Sequence, residues 1–251
     1  MSRLSPLDVS FLLMENAVRR MHMTAFMMFR KPAGQKTTFV PRLVEAYRNS
    51  QAVAPFNRRP KWLEQGVAAW ETVTPDMSYH VRAIAVPAPG SMEQFYETIS
   101  FLNTSLLDRG HPLWECYVID GIEDDRFAVL IKVHHALIDG EGGLRVMRNA
   151  LSDSPRSKRL GAPWMAAEKA AAGRRARPSA SQMEKVQALL QRLVKLPNDL
   201  IGMGSDVVSL GAQSLNLKPR GASLPFTAPR TLYNQTARSA ARAYANIELP
   251  L

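Results

Sequence analysis

The sequence predicts an α/β fold, a two-layer sandwich in which helices pack on a mixed β-sheet. Three observations lead there. Strand-like and helix-like segments alternate from residue 22 to residue 134. Two long apolar runs, over 114–119 and 127–134, flank a short acidic turn, Gly121-Ile-Glu-Asp-Asp125, as a hairpin requires. Apolar residues make up 46% of 251, enough to fill a sizeable core.

Each element follows from local chemistry. A helix over 5–16 opens at Ser5, with Pro6 in its first turn and Asp8 near its positive end. A Met- and Phe-rich strand over 22–29 ends at Arg30-Lys-Pro-Ala-Gly34. A helix spans 39–50, and the basic, proline-punctuated Pro55-Phe-Asn-Arg-Arg-Pro60 leads into a strand pair within 61–73. A strand over 79–86, a turn over 87–90, a helix over 92–106 and the hairpin complete the unit. Gly34-Gln-Lys-Thr-Thr38 lacks the upstream Gly and the Gly-Lys-Thr order of a phosphate loop.

From 151 to 180 there are seven Lys/Arg against two acids, half of the net charge of +10, in Ala, Ser and Pro context. That composition is a linker. Ser181 opens an amphipathic helix with Val186, Leu189, Leu190, Leu193 and Val194 on one stripe, and a second apolar segment covers 200–215. These segments suit either packing between domains or attachment to a lipid surface. A loop over 218–234 and a strand beginning after 241 follow.

The chemistry concentrates at the end of the hairpin. Phe127, Val129, Ile131, Val133 and His135 share one strand face; Ala128, Leu130, Lys132 and His134 share the other. Adjacent strand histidines diverge and make a poor chelate, and no Cys/His cluster completes a metal site, so no metal is expected. A pair of core and surface histidines, or a general base, remains. An imidazole near its usual pKa of about 6.5 is already neutral enough to accept a proton at pH 7. Asp139 can fix the loop and Gly140 permits a sharp turn. There is no Gly-x-Ser-x-Gly for a serine hydrolase. His80 and His111 read first as structural, and Arg109 either binds an acid or supports a loop.

His134-His-Ala-Leu-Ile-Asp-Gly140 resembles the signature of the coenzyme-A-dependent acyltransferases of the chloramphenicol acetyltransferase and condensation-domain superfamily. With Leu4-Ser-Pro-Leu-Asp8, Phe11-Leu-Leu-Met-Glu15, Tyr79-His-Val-Arg82 and Leu107-Asp-Arg-Gly-His-Pro-Leu-Trp-Glu115, it is similar to the bacterial wax ester synthase/diacylglycerol acyltransferase family. The resemblance covers residues 4–152. It implies a chloramphenicol-acetyltransferase-like fold and the N-terminal half of a two-domain enzyme. Residues 1–152 would be the acyltransferase domain, 153–220 a basic connector with amphipathic helices, and 221–251 the start of a C-terminal domain.

The resemblance also implies an O-acyltransferase that esterifies a long-chain alcohol or diacylglycerol from acyl-CoA, a substrate rather than a cofactor. His135 would be the general base, His134 supporting and Asp139 structural, with Gly140 at the turn and Pro112, Leu113, Trp114 and Arg109 supporting the motif. The other half of the enzyme, in the same or a separate chain, and a membrane or lipid-inclusion surface would be partners, and nucleic acid would not. Two rival readings are a condensation-type enzyme using a carrier-protein thioester and a non-catalytic basic membrane-binding module. The pI near 10 suits an anionic surface. The lone Cys116, a start unlike a signal peptide and the lack of a ~20-residue apolar run point to a cytoplasmic, peripherally bound protein.

Overall fold

The structure is a computed structural model that describes residues 2–62, 68–152, 154, 157 and 161–165. The expected helices from 181 and over 200–215, the loop over 218–234 and the strand after 241 lie outside the described residues.

Ser5 caps helix α1 (Pro6–Met14) in a reciprocal capping box with Asp8, which lowers the cost of the unpaired N–H groups there. Strand β2 (His22–Arg30) and helix α2 (Phe39–Arg48) follow. Strands β3 (Arg58–Trp62) and β4 (Ala68–Thr72) form an antiparallel pair, and the short β1 (Ser2–Arg3) joins β4 from the other side. The pair begins earlier than its sequence suggests and takes in Pro60, whose cross-strand partner is Trp70.

The segment expected to begin a strand at residue 79 starts instead with a helical turn, α3 (Met77–His80). Asp76 caps it by accepting the Ser78 and Tyr79 N–H groups, so strand β5 starts only at Val81 and runs to Ala85. Helix α4 (Met92–Leu102) stops at Asn103, four residues short of its expected end. Strands β6 (Trp114–Ile122) and β7 (Arg126–His134) are the foreseen hairpin, with a register irregularity between Ile119 and Ile122. Helix α5 (Gly140–Ala150), which follows directly on the His134-His135 loop, had no counterpart in the sequence reading.

The central sheet has the order β2-β7-β6-β5, antiparallel except for the β5–β6 pair, and is the mixed sheet the sequence implied. Its faces divide as strand parity predicts. Phe127, Val129, Ile131 and Val133 pack in one core with Leu12 of α1, Val44 of α2 and Val146 of α5. Ala128 and Leu130 pack with Phe95 and Ile99 of α4 on the opposite side. Within the stretch assigned to the linker, residues 161–165 return to this domain. Trp164 is fully buried, stacks on Trp114 at 5.0 Å and donates from Nε1 to Ser50 Oγ at 2.8 Å.

Candidate active site

His135 lies one residue past the end of β7. Its N–H donates to Met21 O at 2.8 Å, extending the β2–β7 ladder by one pair. Its half-buried ring stacks on Phe11 of α1, with centroids 5.5 Å apart and planes at 28°. Among the described residues its ring nitrogens make no hydrogen bond. Burial, and then His134, pull its pKa below 6.5, while Asp139 opposes them. A lowered pKa leaves the imidazole neutral at pH 7, the form that accepts a proton.

His134 faces the other way and is completely buried. Its Nδ1 accepts the Ala136 N–H at 3.0 Å, so Nε2 must carry the proton of the neutral ring. That nitrogen stands 3.3 Å from Glu15 Oε1, at an angle short of a straight hydrogen bond. Across the ladder His22 is its direct partner, with Nε2 2.8 Å from Asn103 Oδ1. Asn103 Oδ1 also accepts from Thr24 Oγ1, which makes His22 Nε2 the donor. Burial first, then Lys132, push the His22 pKa down to about 4.

Asp139 is the N-cap of α5, its Oδ1 accepting the Gly142 N–H at 2.7 Å. Gly140 opens the helix with no left-handed backbone, and a Cβ there would meet nothing within 4 Å. The close approach is at Gly142, where a Cβ would stand 2.9 Å from Asp139 Oδ1 and 3.0 Å from Ile138 Cγ1. Glycine is needed for the cap, two residues beyond the position singled out in the sequence.

The Pro-Leu-Trp motif is interior. Pro112, Leu113 and Trp114 are buried, and Leu113 O accepts the His134 N–H at 3.0 Å. Trp114 donates from Nε1 to Phe56 O at 2.7 Å and stacks on His80, whose Nδ1 bonds to Trp114 O at 2.8 Å. His80 therefore has a structural place, while His111 stacks on Tyr79 at 3.8 Å. Arg109 supports the loop, its Nη2 bonding Leu12 O at 2.6 Å and Glu15 Oε2 at 3.3 Å. The structure thus gathers His134, His135, Arg109 and Leu113 around one corner. Phe11 and Glu15 join them there, although in sequence they stood out only within a motif. The contribution of Met21 is a backbone carbonyl and leaves no mark in a sequence.

A cavity of about 670 Å³ lies elsewhere, between α2 and β5, lined by Val40, Val44, Arg48, Ala83 and Ala85 among others and by none of the histidines. Among the described residues no cluster of His, Cys, Asp and Glu could hold a metal ion, and no helix is long and apolar enough to cross a membrane.

The family model of the wax ester synthase/diacylglycerol acyltransferase catalytic domain matches residues 4–251. A probable diacylglycerol O-acyltransferase of Mycobacterium tuberculosis, Tgs4, is 61% identical over 255 residues, covering 100% of this chain and 54% of the relative. A second from the same organism, tgs2, is 32% identical over 98% of this chain and 53% of its own length. The wax ester synthase/diacylglycerol acyltransferase from Marinobacter aquaeolei VT8 superposes with a TM-score of 0.62 at 28% identity, over 76% of this chain and 46% of that one. The chain spans about half the length of the curated relatives it matches.

Proposed function

From a chain that belongs to the wax ester synthase/diacylglycerol acyltransferase family, we propose an acyl-CoA-dependent O-acyltransferase in which His135 is the general base. The observation that supports this reading most directly is the imidazole of His135: half-buried, neutral at pH 7, held by its backbone and by Phe11, with no ring nitrogen hydrogen-bonded among the described residues. A base whose orientation is fixed while its nitrogens remain free is set up to take a proton from an incoming group.

The acceptor is a long-chain alcohol or the free hydroxyl of diacylglycerol. Its O–H proton passes to the imidazole as its oxygen bonds to the thioester carbonyl carbon. The tetrahedral intermediate collapses with cleavage of the C–S bond, and the departing thiolate takes the proton back from the imidazolium. Ester and free coenzyme A result, with no covalent enzyme intermediate. Lipid acceptors place the work at a membrane or lipid inclusion, reached from the cytoplasm. A second half, like that of the longer relatives, would supply the facing wall of the site.

The test is thiol release from palmitoyl-CoA with hexadecanol or dioleoylglycerol, in protein carrying the complete catalytic unit. His135→Ala should lose roughly 10²–10⁴-fold in turnover at unchanged folded fraction, the usual contribution of a positioned base. A His134→Ala variant of equal stability that loses more than His135→Ala would assign the base to the wrong ring.

A further inference from the structure

Glu15 follows the last turn of α1, and its side chain is only 1% exposed. A carboxylate at that depth is costly unless its lone pairs are filled. Met21 and Arg109 donate to them, and His134 faces one of them. Oε1 accepts the Met21 N–H at 3.3 Å and faces His134 Nε2 at 3.3 Å. Oε2 takes Arg109 Nη2 at 3.3 Å. Burial raises the Glu15 pKa, but the contacts with His134, Met21 and Arg109 together outweigh it and leave the group below its ordinary value.

Each attachment leads to His135 by a separate route. Met21 takes the His135 N–H on its carbonyl. His134 precedes His135 in the chain, and its second nitrogen holds the N–H of Ala136, so the residues on both sides of His135 are tied to one ring. Arg109 also bonds Leu12 O and so holds the end of α1, the helix whose Phe11 ring lies on His135. The backbone and the ring of His135 therefore converge on a single carboxylate.

We propose that Glu15 is the positioning residue of this site, setting the orientation of His135 through Met21, His134 and the α1–Arg109 contact without touching the reacting atoms. The inference rests on His135 as the base, so its test needs one readout that acyl transfer does not enter. Glu15→Gln keeps an acceptor for Met21 but offers Arg109 no anion; Glu15→Ala removes every attachment. The first readout is kcat and KM for alcohol-dependent thiol release in the complete enzyme. The second is the rate at which diethyl pyrocarbonate modifies His135, followed by peptide mass spectrometry with His111 as an internal reference.

Glu15→Ala should lower kcat about 10–100-fold with the acceptor KM within about twofold, as small displacements of a catalytic group do, and Glu15→Gln should fall between it and the wild type. The modification rate of His135 should change several-fold against a constant His111. Three outcomes overturn the proposal: unchanged kcat, a fall no larger than the loss of folded protein measured by circular dichroism, or unaltered reactivity of His135. Should His135→Ala retain full turnover while Glu15→Ala still changes the reactivity of His135, the assignment of the base fails and the positioning role stands.

Discussion

Gly140 and Gly142 lie in the same first turn of α5, yet alanine should act oppositely at the two. At Gly140 the new Cβ meets nothing within 4 Å and the backbone is not left-handed, so the only change is a better helix former. That is worth at most about 0.5–1 kcal/mol of added stability. At Gly142 the Cβ would press on Asp139 Oδ1 at 2.9 Å and on Ile138 Cγ1 at 3.0 Å. The carboxylate is the cap, so moving it forfeits about 1 kcal/mol. Crowding Ile138, which is buried, adds about 1–3 kcal/mol, while the helix preference of alanine returns up to about 1 kcal/mol. A net loss near 2 kcal/mol corresponds to about 4–8 °C in the midpoint of thermal unfolding for a domain of this size. Circular dichroism melts of the wild type and the two single variants decide it. If Gly140→Ala destabilises as much as Gly142→Ala, or Gly142→Ala melts with the wild type, the cap geometry is wrong. A Gly140→Ala protein that keeps its melting point but loses turnover would show that substrate uses the space beside it.

Two further outcomes follow from buried ionisable groups. Lys132 is fully buried, donating from Nζ to Leu102 O at 3.2 Å and to Ser105 O at 2.6 Å and standing 3.7 Å from Glu115 Oε2. Lys132→Met leaves those groups unfilled and should cost about 3–5 kcal/mol in urea unfolding, so a loss below about 1 kcal/mol would show that the amine contributes little. His80, also fully buried, has its pKa pushed from 6.5 down to about 4, mainly by burial. With the folded value depressed, the unfolded chain binds the proton more readily. The stability is therefore complete above pH 6.5 and is lost as pH falls toward 4, by up to about 1.4 kcal/mol per unit. His80→Phe has no proton to gain there, and its unfolding midpoint should fall less between pH 7 and 4.5; an identical fall would exclude His80 as the source.

The hairpin was legible because both signals in it are local. Period-two alternation set the faces of β7, and the acidic turn set its start, where Asp124 and Asp125 adopt the left-handed backbone that such residues tolerate. The start of β5 was misread because Tyr79–Val86 is rich in strand formers, while the cap that overrides them, Asp76, lies upstream and acts through its side chain. Helix α5 was missed for a related reason. Gly140, Gly142 and Gly143 are poor helix formers, and the cap together with the packing of Val146 and Met147 on the core holds that stretch helical against them. The site followed the same division. His134 and His135 were visible as an adjacent pair on opposite faces, but the contacts that hold them come from residues 22, 26 and 120 positions before His135, at Leu113, Arg109 and Glu15, and several are backbone atoms. Such contacts have no periodicity to read.

The buried polar groups on the α4 side of β7 need a reason of their own, because an apolar face would pack there at lower cost. Lys132 ties this strand to Leu102, the last residue of α4, and to Ser105 just beyond it, and His134 faces Glu15 at the end of α1. Leu113, before β6, takes the N–H of His134. Hydrophobic contacts alone would fasten these segments strongly but without direction, and a strand that slipped by one residue would exchange its two faces. Here a one-residue slip of β7 would put Lys132 and His134 into the apolar core with Val44 and Leu12, leaving Glu15 without its His134 contact and the 102 and 105 carbonyls without the Lys132 donor. The penalty for unpaired buried groups is steep, so these contacts select one register out of those that hydrophobic packing would accept. That register fixes which face His135 leaves the strand on. The polar layer behind β7 and the base in front of it are two consequences of one alignment, and a Lys132 variant that still folds should then lose turnover as well as stability.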